Sequence, residues 1–393
     1  ETVSRMKKEN KNVPSWVDEM LSSGRETFYE LTNGKRTYYD VLSSSVKTTE
    51  DDPKVINLSL KKSGNNLIKR DWSASLIDLG DGVLNVEFHS ALQPTLNPID
   101  SSMGEVMNDA MDLLDAGKYK ALVIGHEGAN FCAGANLANM IQVIDAKDFD
   151  KINNDLKQFQ DLMQRVRFSK APVVAAPHHM ALGVGFEISA PAVHRVALGE
   201  LYMGAVEIGV GLVPGAGGYL RILLNLTEIS GSGRLNAFQV SQKAFETIAF
   251  AKVSSSADEA KHLGYLLKSD TIILNNDQRI KTAKDKALSL IDEGYEPPKF
   301  RDDLKLPGTG GRTAIAMVVK GFKAQGKISE HDEFIAKKLA YILTGGDKAG
   351  LTKSVDEQYL LDIEREAFVS LTGEKLSQDR IRYMLKVGKP LRN

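Results

Sequence analysis

The stretch ALGVGFEISA, residues 181–190, places a single carboxylate, Glu187, among Ala181, Leu182, Val184, Phe186 and Ile188, directly after the close glycine pair Gly183 and Gly185. An unpaired buried carboxylate is expensive, and such a group neutralises, pairs or does chemistry. Just upstream, PVVAA (172–176) is an apolar run of buried-strand length, and HHMALG (178–183) reads as a loop. A helix is therefore expected to begin near Val184. The free N–H groups of its first turn and the positive end of its dipole can hold a developing negative charge. Glu187 lies one turn into that helix.

Two further stretches offer it company. NFCAGANL (130–137) follows the buried strand ALVIG (121–125), and its small residues let the backbone approach a ligand closely. Taken alone, it reads as a tight turn. AVEIGVGLVPGAGG (205–218) brings a second carboxylate, Glu207, twenty positions after the first, and then a glycine-rich run. Either glutamate alone reads more simply as a surface residue or a helix-dipole partner. Together, the stretches offer backbone donors from two loops for an oxyanion hole and two carboxylates for one cleft.

Strand and helix alternate around these stretches. Ser75–Leu79 and Val83–Phe88 alternate as strands about the turn Gly80-Asp81-Gly82. Ser102 and Glu105 have the spacing of a capping box for a helix burying Met103, Val106, Met107, Ala110 and Leu114 and ending at Gly117. A longer helix buries Ile152, Leu156, Phe159, Met163 and Val166, and RVAL (195–198) is a further strand. This is the pattern of an α/β domain. Before it, a short helix is expected over Trp16–Leu21. Asn33-Gly34 marks a type I′ hairpin, and SSSVKTTEDDPK (43–54) reads as a linker. Beyond about residue 255 the chain reads as mostly helical, with a basic tail, RIRYMLKVGKP (380–390).

The composition narrows the function classes. With 393 residues, 42% hydrophobic and 26% charged, the chain describes an ordinary soluble protein with a large core. Fifty basic against fifty-one acidic residues argue against a broad nucleic-acid-binding face. The lone Cys132 excludes an internal disulfide and a cysteine zinc site, and fits a small buried thiol better than a nucleophile. No apolar run has transmembrane length, and the opening ETVSRMKKENKN is too polar for a secretory signal, so a cytoplasmic, non-membrane protein is expected. His178-His179 lacks a metal partner at useful spacing, so no metal site is expected. PGTGGRT (307–313) lacks the P-loop spacing and reads as a loop, and the absence of GxGxxG after a strand speaks against an NAD site.

The three stretches FCAGANL, ALGVGFEISA and VEIGVGLVPGAGG resemble, in order and spacing over roughly 72–265, the crotonase superfamily and within it the enoyl-CoA hydratases. WVDEMLSSGRETFYELTNGKRTYYD (16–40), SVDEQYLLDIEREAF (354–368) and the ending GKPLRN resemble the C-terminal hydratase part of bacterial bifunctional 3-hydroxyacyl-CoA dehydrogenase/enoyl-CoA hydratases. The resemblance implies a ββα-spiral α/β core at 71–265. It also implies an N-terminal extension at 1–70, left over from the region after a dehydrogenase part, and a helical C-terminal region at 266–393. Catalysis would rest on Glu187 and Glu207, with the backbone N–H groups of Ala133 and Val184 as oxyanion donors. Ala133, Gly134, Ala135, Asn136 and Val184 would line the coenzyme A site. The substrate would be an acyl-CoA thioester hydrated across its trans-2 double bond, with no resident cofactor. The expected assembly is a homo-oligomer, trimer or dimer of trimers, alongside a dehydrogenase part.

This chain departs from the family pattern at two positions: Val184 stands where glycine is usual, and Asn136 where aspartate is common. Open alternatives are a Δ3-Δ2-enoyl-CoA isomerase, which can work with one carboxylate, and a non-catalytic acyl-CoA-binding subunit. The cations Arg382, Lys386 and Lys389 are candidates for the 3′-phosphate of coenzyme A.

Overall fold

The computed structural model describes residues 1–32, 34–50, 52–234, 236–350 and 352–393. At the N-terminus, after a helix at Ser15–Ser22, strands β1 (Tyr29–Thr32), β2 (Lys35–Asp40) and β3 (Ser45–Thr48) form a small antiparallel sheet. The hairpin is where its alternating aromatic flanks put it, but the turn type rests on Asn33, which lies outside the described residues. The stretch 43–54 is not simply a linker. β3 pairs along β2 from Thr37↔Thr48 to Asp40↔Ser45, because Val46, Lys47 and Thr48 continue an extended run that an exposed edge can bind.

The main sheet has seven strands in the order β13-β11-β9-β7-β6-β5-β4. They are β4 (Leu67–Arg70), β5 (Ala74–Gly80), β6 (Val83–Phe88), β7 (Ala121–Ile124), β9 (Val173–Ala175), β11 (His194–Leu198) and β13 (Thr271–Ile273). β4, β5 and β6 are antiparallel, and from β6 to β13 every pairing is parallel. A second, all-parallel sheet of three strands stacks β12 (Leu201–Gly204), β10 (His179–Leu182) and β8 (Cys132–Ala133). This sheet carries the motif loops.

The central parallel strands β7 and β9 are apolar along their whole length because both faces are covered. Leu122 and Ile124 point into one core cluster, Ala121 and Val123 into the other. The helices used below are α1 (Ser101–Asp115), α2 (Leu137–Asp145), α3 (Phe149–Arg167), α4 (Val184–Ser189), α5 (Gly218–Arg234), α6 (Arg279–Asp292), α7 (Glu357–Thr372) and α8 (Lys375–Val387). α1 is capped by Asp100, whose side chain accepts the Met103 N–H at 3.2 Å, and not by the expected Ser102–Glu105 box. The helix starts at Ser101, so Asp100 holds the capping position and Ser102 already lies within the first turn. PGTGGRT is likewise no loop. Gly308 opens a helix that runs to Ala324, with Pro307 before it, where a missing N–H costs nothing.

The stretch 266–393 is mostly helical, yet it also contributes β13 to the main sheet. It contributes α6 as well, whose Ile280, Ala283 and Ala287 cover that sheet's second face. Arg279 at the start of α6 is buried and donates to the carbonyls of Ala176 (2.5 Å) and His126 (2.7 Å), tying the helix to the ends of two strands. The sheet is therefore completed by chain beyond the expected boundary at 265.

Candidate active site

β10 ends at Leu182, and Gly183, with φ +56° and ψ −121°, turns the chain into α4. Only glycine accepts such a turn readily. Gly185 is needed for a second reason: a Cβ there would lie 2.5 Å from the Cys132 carbonyl oxygen, so α4 packs directly on the backbone of β8. Gly134, at φ +99°, faces Gly183 from the other loop. The three glycines bring the two motif loops into contact.

Glu187 is 3% exposed. Its Oε1 accepts the N–H groups of Ala216 at 2.8 Å and Gly218 at 3.0 Å, where the glycine-rich turn enters α5. Burial pushes its carboxyl up to about 7, against the pull of these amides, which favour the ionised form. Glu207 opens a short 3-10 turn, Glu207–Val210. The residue as a whole is half-buried, but both its carboxylate oxygens are shielded and have no hydrogen-bond partner among the described residues. Burial first, and then the charge of Glu187, push it up to about 8. The two glutamates therefore share one electrostatic site, and both titrate near neutrality.

The loop donors are arranged differently from expectation. The Ala133 N–H is already engaged, donating to the Leu96 carbonyl at 2.8 Å. The Gly134 carbonyl and Asn136 N–H bond to the two sides of Ile99, at 3.0 and 3.1 Å, bridging Ile99 to Ala135. Across the trans peptide bond the N–H of Ala135 runs opposite to the Gly134 carbonyl and so points away from Ile99. Val184 is the first residue of α4, so its N–H lies outside that helix's own ladder. Asn136 caps α2, its Oδ1 accepting from Ala138 (3.1 Å) and Asn139 (3.3 Å). An aspartate would cap in the same way, which explains how this departure is tolerated.

Other sequence candidates resolve as structure. Cys132 is buried and its thiol is pushed up to about 12 by burial, which leaves it inert. His178 is buried against His126 and bonds the Gly128 carbonyl at 2.8 Å. Arg382 pairs with Asp145 at the end of α2 in an exposed surface ion pair, and Lys386 and Lys389 are exposed as well. Among the described residues no group of His, Cys, Asp and Glu is arranged to hold a metal ion, and no helix is long and apolar enough to cross a membrane. A surface depression lined by Ile68, Lys69, Leu76 and Asp109, among others, touches none of the site residues.

Residues 92–231 match the enoyl-CoA hydratase/isomerase family model. That match spans all three motif loops, and the α/β part of the chain has the crotonase fold. A Probable 3-hydroxyacyl-CoA dehydrogenase of Bacillus subtilis (strain 168) is 43% identical over 382 residues, which cover 97% of this chain and 47% of that protein. The chain thus spans about half the length of that relative. A Short-chain-enoyl-CoA hydratase of Clostridium acetobutylicum is 27% identical over 199 residues, 50% of this chain and 65% of that one. The crystal structure of an enoyl-CoA hydratase/isomerase from Mycobacterium paratuberculosis superposes with a TM-score of 0.52 at 16% identity, over 80% of this chain and 99% of that one, a likeness of fold.

The crotonase motifs single out Glu187 and Glu207. They do not reveal that the turn between Val213 and Gly218 is backed by the C-terminal region. A Cβ on Gly215 would lie 2.7 Å from the Phe368 ring. The Gly217 N–H donates to Glu364 Oε1 at 2.6 Å. Gln160 of α3 donates to the carbonyls of Gly215 (2.9 Å) and Leu361 (3.0 Å), joining turn and helix. Glu364 was legible in principle. It sits on the apolar stripe Leu360, Leu361, Ala367, Phe368 and Leu371 of α7, the same anomaly that marks Glu187.

Proposed function

We propose that this crotonase-superfamily enzyme is an enoyl-CoA hydratase, adding water across the trans-2 double bond of an enoyl-CoA to give a 3-hydroxyacyl-CoA. The observation that carries the reading is the pair of buried carboxylates in unlike surroundings, Glu187 held by two amides and Glu207 with no partner. Amide donors favour an ionised carboxylate, and an unpartnered buried one favours its neutral acid. Glu187 is accordingly the base and Glu207 the acid.

In this mechanism the N–H groups of Ala135 and Val184 hold the thioester oxygen, with Ala135 in place of the engaged Ala133. Glu187 takes a proton from water as the water oxygen bonds to C3. The electron pair of the double bond moves toward the thioester, whose oxygen gains enolate charge. Glu207 delivers its proton to C2, and proton exchange between the two carboxyls resets the site. No cofactor takes part. Binding of the coenzyme A moiety is assigned to the Ala133–Asn136 loop.

The chain also fits the hydratase part of a longer β-oxidation protein with a 3-hydroxyacyl-CoA dehydrogenase part, supported by its match to about half of the Bacillus subtilis relative. It would work in the cytoplasm as a homo-oligomer. The test is hydration of trans-2-enoyl-CoAs of graded chain length, followed by loss of thioester-conjugated absorbance, with a 3-enoyl-CoA run in parallel. Hydration with little 3-to-2 isomerisation supports the hydratase. Isomerisation alone, or acyl-CoA binding without turnover, would replace it. NADH production from 3-hydroxyacyl-CoA by this chain would overturn the view that dehydrogenation belongs elsewhere.

A further inference from the structure

We propose that Glu364, on α7, is a positioning residue for the catalytic pair: it clamps the Gly215–Gly218 turn so that the Ala216 and Gly218 amides stay aimed at Glu187. The proposal rests on the reading of Glu187 as catalytic. Three consecutive amides are shared between two helices. Ala216 and Gly218 donate to Glu187 of α4, and Gly217, between them, donates to Glu364 of α7 at 2.6 Å. Gly217 has φ +100°, which lets its amide point away from those of its neighbours.

α7 presents one face to this turn. Leu361 lies 3.4 Å from the position of a Cβ on Gly217, Phe368 packs on Gly215, and Glu364 lies between them in the helical repeat. Glu364 is fully buried, and its second oxygen, Oε2, has no partner among the described residues.

The surroundings favour the neutral acid form of Glu364. Glu187 faces it from α4 and Glu207 from the 3-10 turn. From α5 come Tyr219, a buried hydroxyl also without a partner, and Arg221, whose Nη2 pairs with Glu357 at 3.3 Å and whose charge also acts on Glu364, its Nη1 having no partner among the described residues. From α3, Arg167 likewise faces Glu357, and Gln160 is neutral. Burial and the two neighbouring carboxylates push Glu364 well above the usual carboxylate range. A neutral carboxyl keeps a carbonyl oxygen to accept the Gly217 N–H and adds no second negative charge beside Glu187. Its role is then one of shape, and an amide can replace it.

The test compares Glu364→Gln with Glu364→Leu in the full chain. Glu364→Gln should keep kcat within about threefold of the parent and leave the acid limb of its pH profile in place. Glu364→Leu removes the acceptor, frees the Gly217 amide and loosens the turn. It should lower kcat at least tenfold with KM nearly unchanged, and move the acid limb to higher pH as Glu187 loses its ordered donors. A second readout needs no turnover: at pH 7 the infrared carbonyl-stretch absorption of protonated carboxylic acids should lose one component in Glu364→Gln, leaving those of Glu187 and Glu207. A Glu364→Gln enzyme as impaired as Glu364→Leu, or an acid limb moved to lower pH in Glu364→Gln, would overturn the neutral clamp, as would an absorption unchanged by Glu364→Gln. If the parent does not hydrate enoyl-CoA, the functional reading fails, and the infrared band still decides the state of Glu364.

Discussion

Gly183 and Glu207 meet where no side chain fits: a Cβ on Gly183 would lie 2.9 Å from Glu207 Oε1 and 3.7 Å from the Gly134 Cα. One atom's absence therefore lets the second carboxylate reach the seam between the two motif loops. Gly183→Ala should displace Glu207 and impose strain at φ +56°, lowering kcat at least tenfold. Gly185→Ala instead drives a methyl group into the Cys132 carbonyl and should cost about 1–3 kcal/mol of stability, read as a lowered Tm. If both variants kept parental kcat and Tm, the close packing of α4 on β8 would be wrong.

The pH dependence follows from the coupled pair. With Glu187 near 7 and Glu207 near 8, the singly ionised state is most populated around neutrality. Activity should fall on the acid side as the pair takes up a second proton, and on the alkaline side as both ionise. A kcat/KM profile flat from pH 5.5 to 9.5 would contradict this assignment.

The same shifts bear on stability. Both carboxyls are raised above the unfolded value of 4.5, so between about pH 4.5 and 8 the folded protein holds more protons than the unfolded chain. Stability contributed by these groups is therefore present below pH 4.5 and lost as pH rises toward 8. Glu187→Gln and Glu207→Gln remove a titration that opposes folding, so each should gain Tm relative to the parent at pH 8 more than at pH 5. Thermal unfolding at the two pH values checks the sign: no difference would mean that the carboxyls are solvated in solution, and the opposite trend that folding favours their ionised forms.

The pairing of Arg382 with Asp145 makes a separate expectation. Arg382→Ala should leave KM for acyl-CoA within about twofold at low and high salt. A rise in KM that depends on salt would place Arg382 at the phosphate site. Charge reversal at the exposed Lys386 and Lys389 tests the remaining cations of the tail in the same assay.

Much of this architecture was legible in the sequence, and the reasons are specific. Strands such as 121–124 and 173–175 are uniformly apolar because helices cover both faces, and Glu187 stood out as the one charge in such a run. Glycine pairs announced a close approach, although not which atoms approach. The capping residue of α1, the pairing of β3 and the helical start at Gly308 were misread because each is settled by a neighbour in space or by a competing residue one or two positions away. The engagement of Ala133 by Leu96 and the backing of the catalytic turn by α7 are long-range contacts. Residues 147 positions apart in the chain leave no local pattern to read.

Replacing Val184 by glycine probes the departure at the helix start. If the backbone N–H alone serves as donor, Val184→Gly should retain kcat within about tenfold and shift acyl-chain preference. Loss of an oxyanion donor costs about 2.7–4 kcal/mol. A thousandfold loss with the fold intact would show that the valine side chain shapes the hole.

The most direct measurement is steady-state hydration of a short trans-2-enoyl-CoA by Glu187→Gln, Glu207→Gln and the double variant, with acyl-CoA affinity measured beside it. Each single substitution should lower kcat by roughly 10²–10⁴ while leaving affinity nearly unchanged, and the double variant should be far less impaired than the product of the two. One silent substitution would point to a single-carboxylate isomerase, and two silent substitutions would contradict the shared-site account outright.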